Sequence, residues 1–135
     1  PVLASEQYPQ GLGPTVPALK ALLPEQLIIS KRTFSCCREP RFMTALTALQ
    51  RHQIIICGIE AHVCVFQTAA DLIARGYQVQ AVVDAISART AANKSIGLKR
   101  IQQIGGCLSS VESCIFELLE TSAGPEFKSI LTLIK

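Results

Sequence analysis

The sequence predicts an α/β protein: a parallel sheet with helices packed on both faces. Three observations lead there. Short apolar runs such as Ile54-Ile55-Ile56-Cys57 show no alternation, as expected of strands covered on both faces. Longer segments with helical apolar spacing alternate with those runs, and strand–helix alternation gives right-handed crossovers between parallel strands. Length and composition agree. A chain of 135 residues suits one domain, and 49% hydrophobic with 17% charged residues is enough for a core and too apolar for disorder.

The elements follow in order. Pro1 to Ser5 reads as a short strand. Glu6 to Pro17 holds Pro9, Gly11, Gly13, Pro14 and Pro17 and reads as a loop. Ala18 to Leu23 makes a helical turn stopped by Pro24. Gln26 to Ser30 is a second strand, ending at Lys31. Pro40 suits the first position of a helix whose Phe42, Leu46 and Leu49 share one face. His52 to Cys57 is the third strand. The helix after it starts near His62 and carries two apolar stripes, one of Val63, Phe66, Ala70 and Ile73, the other of Val65, Ala69 and Leu72. Two stripes bury a helix on much of its circumference, and Gly76 stops it. Val79 to Val83 is a fourth strand. Thr90 to Ile104 is a helix with Ile101 and Ile104 inward, ended by Gly105-Gly106, and Cys107-Leu108 is a short fifth strand. Ser109 and Glu112 have capping-box spacing for a helix with Ile115, Leu118 and Leu119 inward. Pro125 opens a last helix with Phe127, Ile130, Leu131 and Ile134 on one side.

Several function classes are disfavoured by composition. The net charge of +3 is small, and the basic residues form no run with aromatic neighbours, so no nucleic-acid partner is expected. No apolar stretch approaches the ~20 residues that span a bilayer, so no membrane partner is expected either. The first residues lack the charged stretch and apolar core of a secretory signal. The six cysteines are Cys36, Cys37, Cys57, Cys64, Cys107 and Cys114. They include no C-x-x-C pair, and the core does not need staples, so free thiols in an intracellular, reducing compartment are expected, cytoplasmic or organellar.

One turn stands out chemically. Gly58-Ile59-Glu60-Ala61-His62-Val63-Cys64-Val65 follows the third strand and opens a helix. Backbone N–H groups are unpaired at a helix start, and the dipole there is positive. Both effects stabilise a thiolate at Cys64. The same N–H groups could hold the oxyanion of an acyl-transfer intermediate. The plain alternative is a buried, inert thiol that packs as a small hydrophobe.

This turn resembles the nucleophile turn of the isochorismatase-like hydrolases, the cysteine hydrolase superfamily. Glu6-Gln7-Tyr8-Pro9-Gln10-Gly11-Leu12-Gly13-Pro14-Thr15 resembles the subgroup without the nicotinamidase metal site. Lys31-Arg32-Thr33-Phe34-Ser35 resembles the family's lysine strand end, and Val82-Val83-Asp84-Ala85 its next strand. The resemblance implies a Rossmann-like three-layer α/β/α fold with a parallel sheet in the order 3-2-1-4-5-6. It implies a catalytic set of aspartate, lysine and cysteine, of which Lys31 and Cys64 match the last two. The aspartate belongs to the family's first strand, whereas Pro1-Val2-Leu3-Ala4 matches the second. That first strand is central in the sheet, so residues 1–135 are expected to form a single, N-terminally incomplete domain, lacking roughly 40–50 residues by the size of a βαβ unit.

The resemblance also implies a cis peptide bond between Ile59 and Glu60, with Ile59, Glu60 and Val63 in the oxyanion turn. Gln7, Tyr8, Phe34 and His62 are candidates to line the substrate pocket. Glu60 could equally be a solvent-facing turn residue, and His62 a first-turn residue without contact to substrate. The nicotinamidase branch carries aspartate and histidines near Glu6 to Pro9; this chain has none there, so neither metal nor other cofactor is expected. Asp84 is expected to serve structure, paired with Arg89 or a backbone amide. Two function classes stay open. One is a hydrolase of a small amide or related C–N bond through a Cys64 thiolate, with a small-molecule substrate. The other is a non-catalytic family-fold binding or oligomerisation protein. The family also points to a homo-oligomer.

Overall fold

The computed structural model describes residues 1–23 and 28–134. Gln26, Leu27 and the Pro24 stop lie outside them. Five strands are β1 (Ala4–Gln7), β2 (Ile28–Lys31), β3 (Gln53–Gly58), β4 (Gln78–Ile86) and β5 (Cys107–Ser109). The helices are α1 (Pro9–Leu12), α2 (Pro17–Lys20), α3 (Pro40–Ala48), α4 (Phe66–Ile73), α5 (Ala91–Gln103), α6 (Val111–Leu119) and α7 (Glu126–Leu131). A 3₁₀ turn at Cys36–Arg38 precedes α3, and a π turn at Ala61–Val65 precedes α4.

Every strand pair is parallel, as the alternation predicts. The strands form two sheets, β1-β2 and β3-β4-β5. Written as β2-β1 and β3-β4-β5, the two sheets agree with the 3-2 and 4-5-6 portions of the expected order. One buried cluster joins the two sheets, holding Ile29 of β2, Val79 and Ala81 of β4, Val65, Ala69 and Leu72 around α4, and Ile101 of α5.

β3 departs from the expected continuous burial. Gln53, Ile55 and Cys57 are exposed, while Ile54, Ile56 and Gly58 are half-buried. The reason is coverage. Ile55 pairs with Gln80 in β4, so both share a face. The α6 helix covers that face at β4, where the Gln80 amide donates to Glu117 at 3.1 Å. Over β3 the same face is bare, and Ile55 is 47% exposed.

Smaller corrections have local causes. Glu6 and Gln7 continue β1 because they pair with Ser30 and Lys31. The cap of α6 is Ser110, whose hydroxyl accepts from Ser113 N at 3.1 Å; Ser109 stays in β5 beside Val82. The inward residue of α6 is Cys114, and Leu118 is 75% exposed. Ile101 is buried, but Ile104 at the end of α5 is exposed. Both apolar stripes of α4 are at least partly covered, with Val65, Thr68, Ala69 and Leu72 deepest.

Candidate active site

Lys31 ends β2 and is only 4% exposed. A buried ammonium needs all three donors satisfied. Its Nζ donates to Gln7 Oε1 at 2.6 Å, to Thr33 O at 2.9 Å and to Phe34 O at 2.9 Å. All three acceptors are neutral, so the donors are satisfied with no carboxylate bonded to the ammonium among the described residues. Gln7 stands opposite Lys31 in the β1–β2 ladder, which explains its reach.

The loop after Lys31 is docked on the cysteine helix. Cys36 N donates to the buried Thr68 Oγ1 at 3.0 Å, and Ser35 Oγ accepts from Cys37 N at 3.2 Å. Thr68 lies one helical turn beyond Cys64, on the same face. The backbone of residues 34–36 therefore runs from the carbonyl that binds the Lys31 ammonium to the amide that binds the helix carrying Cys64. Burial pushes the neighbouring Cys37 thiol up to about 11. Cys64 itself is half-buried, and all six cysteines are free thiols.

The Cys64 turn is π-helical: Val65 N donates to Glu60 O at 3.2 Å, five residues back. Such turns are rare and cluster at functional sites. The Val63 N–H also donates to Glu60 O, at 3.1 Å, so it is committed inside the turn. The Ile59–Glu60 peptide bond is cis. Ile59 is exposed and so is Phe34, each placing an apolar side chain at the surface near these strand ends. The loop after β4 is stitched to the turn: Ala61 N donates to Ser87 O at 2.9 Å, and Ser87 N to Gly58 O at 3.1 Å. From the other side α5 presses Gly97 onto Ala61 and His62, where any larger residue would collide with backbone.

Glu60 is half-buried and points to the β4 loop. Its Oε2 accepts from Arg89 N at 3.3 Å and Arg89 Nε at 3.4 Å, and lies 3.7 Å from His62 Nδ1. His62 Nδ1 is buried without a hydrogen-bond partner among the described residues. Arg89 thus belongs to Glu60. Asp84 takes the other expected partner, accepting the Val111 N–H at the start of α6 at 2.9 Å. Tyr8 follows Gln7 in a left-handed conformation at φ 42°, with the Arg32 guanidinium 3.8 Å above its ring.

Gln7, Tyr8, Lys31 and Phe34 therefore gather at the ends of β1 and β2, and Ile59, Glu60, His62, Val63 and Cys64 beyond the end of β3. Both groups sit at carboxyl ends of parallel strands, where open α/β sheets bind ligands. Two concavities among the described residues lie elsewhere, at the end of α3 around Met43 and Thr47 and at the strand starts around His52 and Gln78. Sequence reading missed Thr68 and the Thr33 and Phe34 carbonyls. Backbone acceptors have no residue-type signature, and Thr68 reads as one more position in a buried helix.

Among the described residues no group of three or more His, Cys, Asp or Glu could hold a metal ion. No helix among them is long and apolar enough to cross a membrane.

Comparison with known proteins sets this geometry in a family. The isochorismatase domain model matches residues 1–113. The chain is 44% identical over 140 residues to the secreted isochorismatase effector Isc1 of Phytophthora sojae, covering all of this chain and 66% of that protein. It is 44% identical over 138 residues to isochorismatase domain-containing protein 2 of Macaca fascicularis, covering all of this chain and 64% of that protein. The chain thus spans about two thirds of the length of these relatives. Among solved structures, the MAR1 ribonuclease from Caenorhabditis elegans superposes with a TM-score of 0.89 at 43% identity, covering 99% of this chain and 69% of that one. With its parallel α/β fold and a family model matched over most of its length, the chain belongs to the isochorismatase family.

Proposed function

We propose that the chain carries the nucleophile half of an isochorismatase-like cysteine hydrolase acting on a small amide or related C–N bond. The observation that carries this reading is Lys31, a buried ammonium held by three neutral acceptors. Burying a charge without a counter-charge costs several kcal/mol. A site that keeps such a charge at the carboxyl end of a strand is built to meet an anion, first a carboxylate and then a thiolate.

In this reading Cys64 Sγ attacks the amide carbonyl carbon while a carboxylate accepts the thiol proton. The tetrahedral oxyanion collapses, the C–N bond breaks, and the proton leaves with the amine. Water, deprotonated by the same carboxylate, then attacks the thioester; the acid leaves and the thiol is restored. On this reading the carboxylate comes from a further strand seated between β1 and β3, each of which has a strand neighbour on one side only among the described residues. Orphaned ladder groups cost ~1–3 kcal/mol each when buried, which favours filling that position. On this reading residues 1–135 are a single, N-terminally incomplete domain.

The ribonuclease name belongs to the Caenorhabditis elegans protein. Here the charge of +3 is spread without a basic run, so the amide reading is kept. Six free cysteines favour a reducing, intracellular compartment. The test is turnover of a panel of small primary amides and of single-stranded RNA by the protein with the carboxylate-bearing strand in place, with Cys64→Ala as control. Amide turnover lost in Cys64→Ala supports the proposal. Turnover that survives the substitution removes Cys64 as nucleophile. A folded protein inactive on every amide supports the non-catalytic scaffold instead.

A further inference from the structure

We propose that Gln7 is the positioning residue of Lys31: it fixes the direction of the buried ammonium while leaving its charge uncancelled. The inference rests on the catalytic reading of Lys31 and Cys64 above, and deepens it.

Of the three acceptors on Lys31 Nζ, two are carbonyls of its own following loop. Gln7 Oε1 is the third and the nearest, at 2.6 Å. It is also the only side chain among them, arriving from the neighbouring strand. Its amide orientation is fixed by both partners: Nε2 donates to Arg32 O at 2.9 Å, so Oε1 must face Lys31. A flipped amide would set an NH₂ against an ammonium and a carbonyl oxygen against a carbonyl oxygen. The backbone braces the same spot. Gln7 and Lys31 are partners in the ladder, and Tyr8 N donates to Lys31 O at 2.9 Å just beyond. Tyr8 then turns away in its left-handed conformation, held under Arg32.

The residue type matters. A glutamate at position 7 would still accept from the ammonium, but it would neutralise the charge and set a carboxylate oxygen against Arg32 O. A methionine would fill similar space and supply no strong acceptor. Glutamine alone among the three pins the charge and keeps it. The full positive field then remains for the thiolate of Cys64 and its carboxylate partner.

Three variants and two readouts test this. Lys31 reactivity is followed by acetic anhydride labelling with peptide mass mapping. Cys64 reactivity is followed by iodoacetamide alkylation across pH. A hydrogen bond to a charged group is strong enough that Gln7→Met should raise Lys31 labelling about tenfold. It should also shift the Cys64 profile to higher pH, toward that of Lys31→Met. Gln7→Glu, whose carboxylate disfavours the neutral amine that acetic anhydride attacks, should leave Lys31 labelling no faster than wild type yet shift the Cys64 profile upward too. A merely structural role would not separate the two readouts. Lys31 labelling in Gln7→Met within about twofold of wild type, smaller than any hydrogen bond to a charge would give, overturns the inference. A wild-type Cys64 profile in Gln7→Glu does the same. If Lys31→Met leaves the Cys64 profile unmoved, the catalytic reading fails instead, and the labelling comparison still judges the hold of Gln7 on Lys31. Circular dichroism melts confirm that each variant folds, and Gln7→Glu keeps the test open should Gln7→Met not fold.

Discussion

Replacing Gly97 by alanine pits two effects against each other, and the structure decides the sign. Gly97 lies inside α5, where alanine gains about 1 kcal/mol of helix propensity over glycine. Sequence reasoning alone would therefore predict stabilisation. But a Cβ at this position would stand 2.6 Å from both C and O of Ala61 and 2.7 Å from N of His62. Real Cβ atoms do not approach backbone below 3.0 Å, and ordinary contact begins at 3.4 Å. The α5 helix or the π turn must retreat by about 0.8 Å to reach it. Overpacking a close contact costs ~1–3 kcal/mol, and here the atoms that must yield are backbone, not a flexible side-chain end. The upper part of that range outweighs propensity, for a net loss of about 1–2 kcal/mol. Urea unfolding should show a lower midpoint at unchanged slope. Ser95→Ala on the exposed side of the same helix should change stability by less than ~0.5 kcal/mol. A Gly97→Ala midpoint equal to or above wild type would refute the packing described for the Cys64 turn.

Other predictions follow from single contacts. Thr68→Val keeps shape but removes the acceptor of the buried Cys36 N–H, so stability should fall by ~1–3 kcal/mol in urea unfolding; an unchanged midpoint would mean the loop is not docked there. Cys37, its thiol pushed up to about 11 by burial, should label last with iodoacetamide at neutral pH, behind the exposed Cys57 and Cys107, as read by mass mapping. Hydrogen bonds from Ser35 and Arg38 hold the Asp71 carboxyl below the usual carboxylate range. Its stabilisation is present above that range and is lost as pH falls through the lowered value. Asp71→Asn should then narrow its gap to wild type on acidification, and because Arg38 is largely exposed the gap at neutral pH should stay below ~1 kcal/mol. We propose that α7, which has no buried residue, helps form the homo-oligomer expected from the family resemblance, so that Ile130→Asp dissociates the assembly in light scattering with circular dichroism unchanged; a wild-type monomer at micromolar concentration would reject it.

The alternation of apolar runs with helical segments sufficed to place β3, β4, α3, α5 and α6 within a few residues, because each is set by local periodicity and a local cap or stop. Thr90 caps α5 and Gly76, at φ 84°, ends the segment after α4, as their residue types suggest. What the pattern could not show was coverage. Ile54-Ile55-Ile56 reads as buried on both faces, yet Ile55 is bare because α6 stops over β4. Amphipathicity likewise misplaced Leu118 and Ile104, since a helix stripe tells which residues are apolar and not where the neighbouring layer ends. At the site, Lys31 and Cys64 stood out by position at strand and helix ends. Their supports did not. The Gln7–Lys31 contact joins residues 24 apart in sequence, and the Cys36–Thr68 contact residues 32 apart. Neither has a spacing rule, and both exist only once β1 lies beside β2 and the loop after β2 lies on α4.

The most direct test of the central claim is competitive alkylation of the folded protein by substoichiometric iodoacetamide at neutral pH, with every cysteine peptide quantified in wild type and in Lys31→Met. The proposed roles of Cys64 as nucleophile and Lys31 as its cationic partner predict that Cys64 is labelled first in wild type, ahead of the more exposed Cys57 and Cys107, and loses that lead in Lys31→Met. Labelling that simply follows exposure, with Cys57 and Cys107 first and no effect of Lys31→Met, would contradict the account.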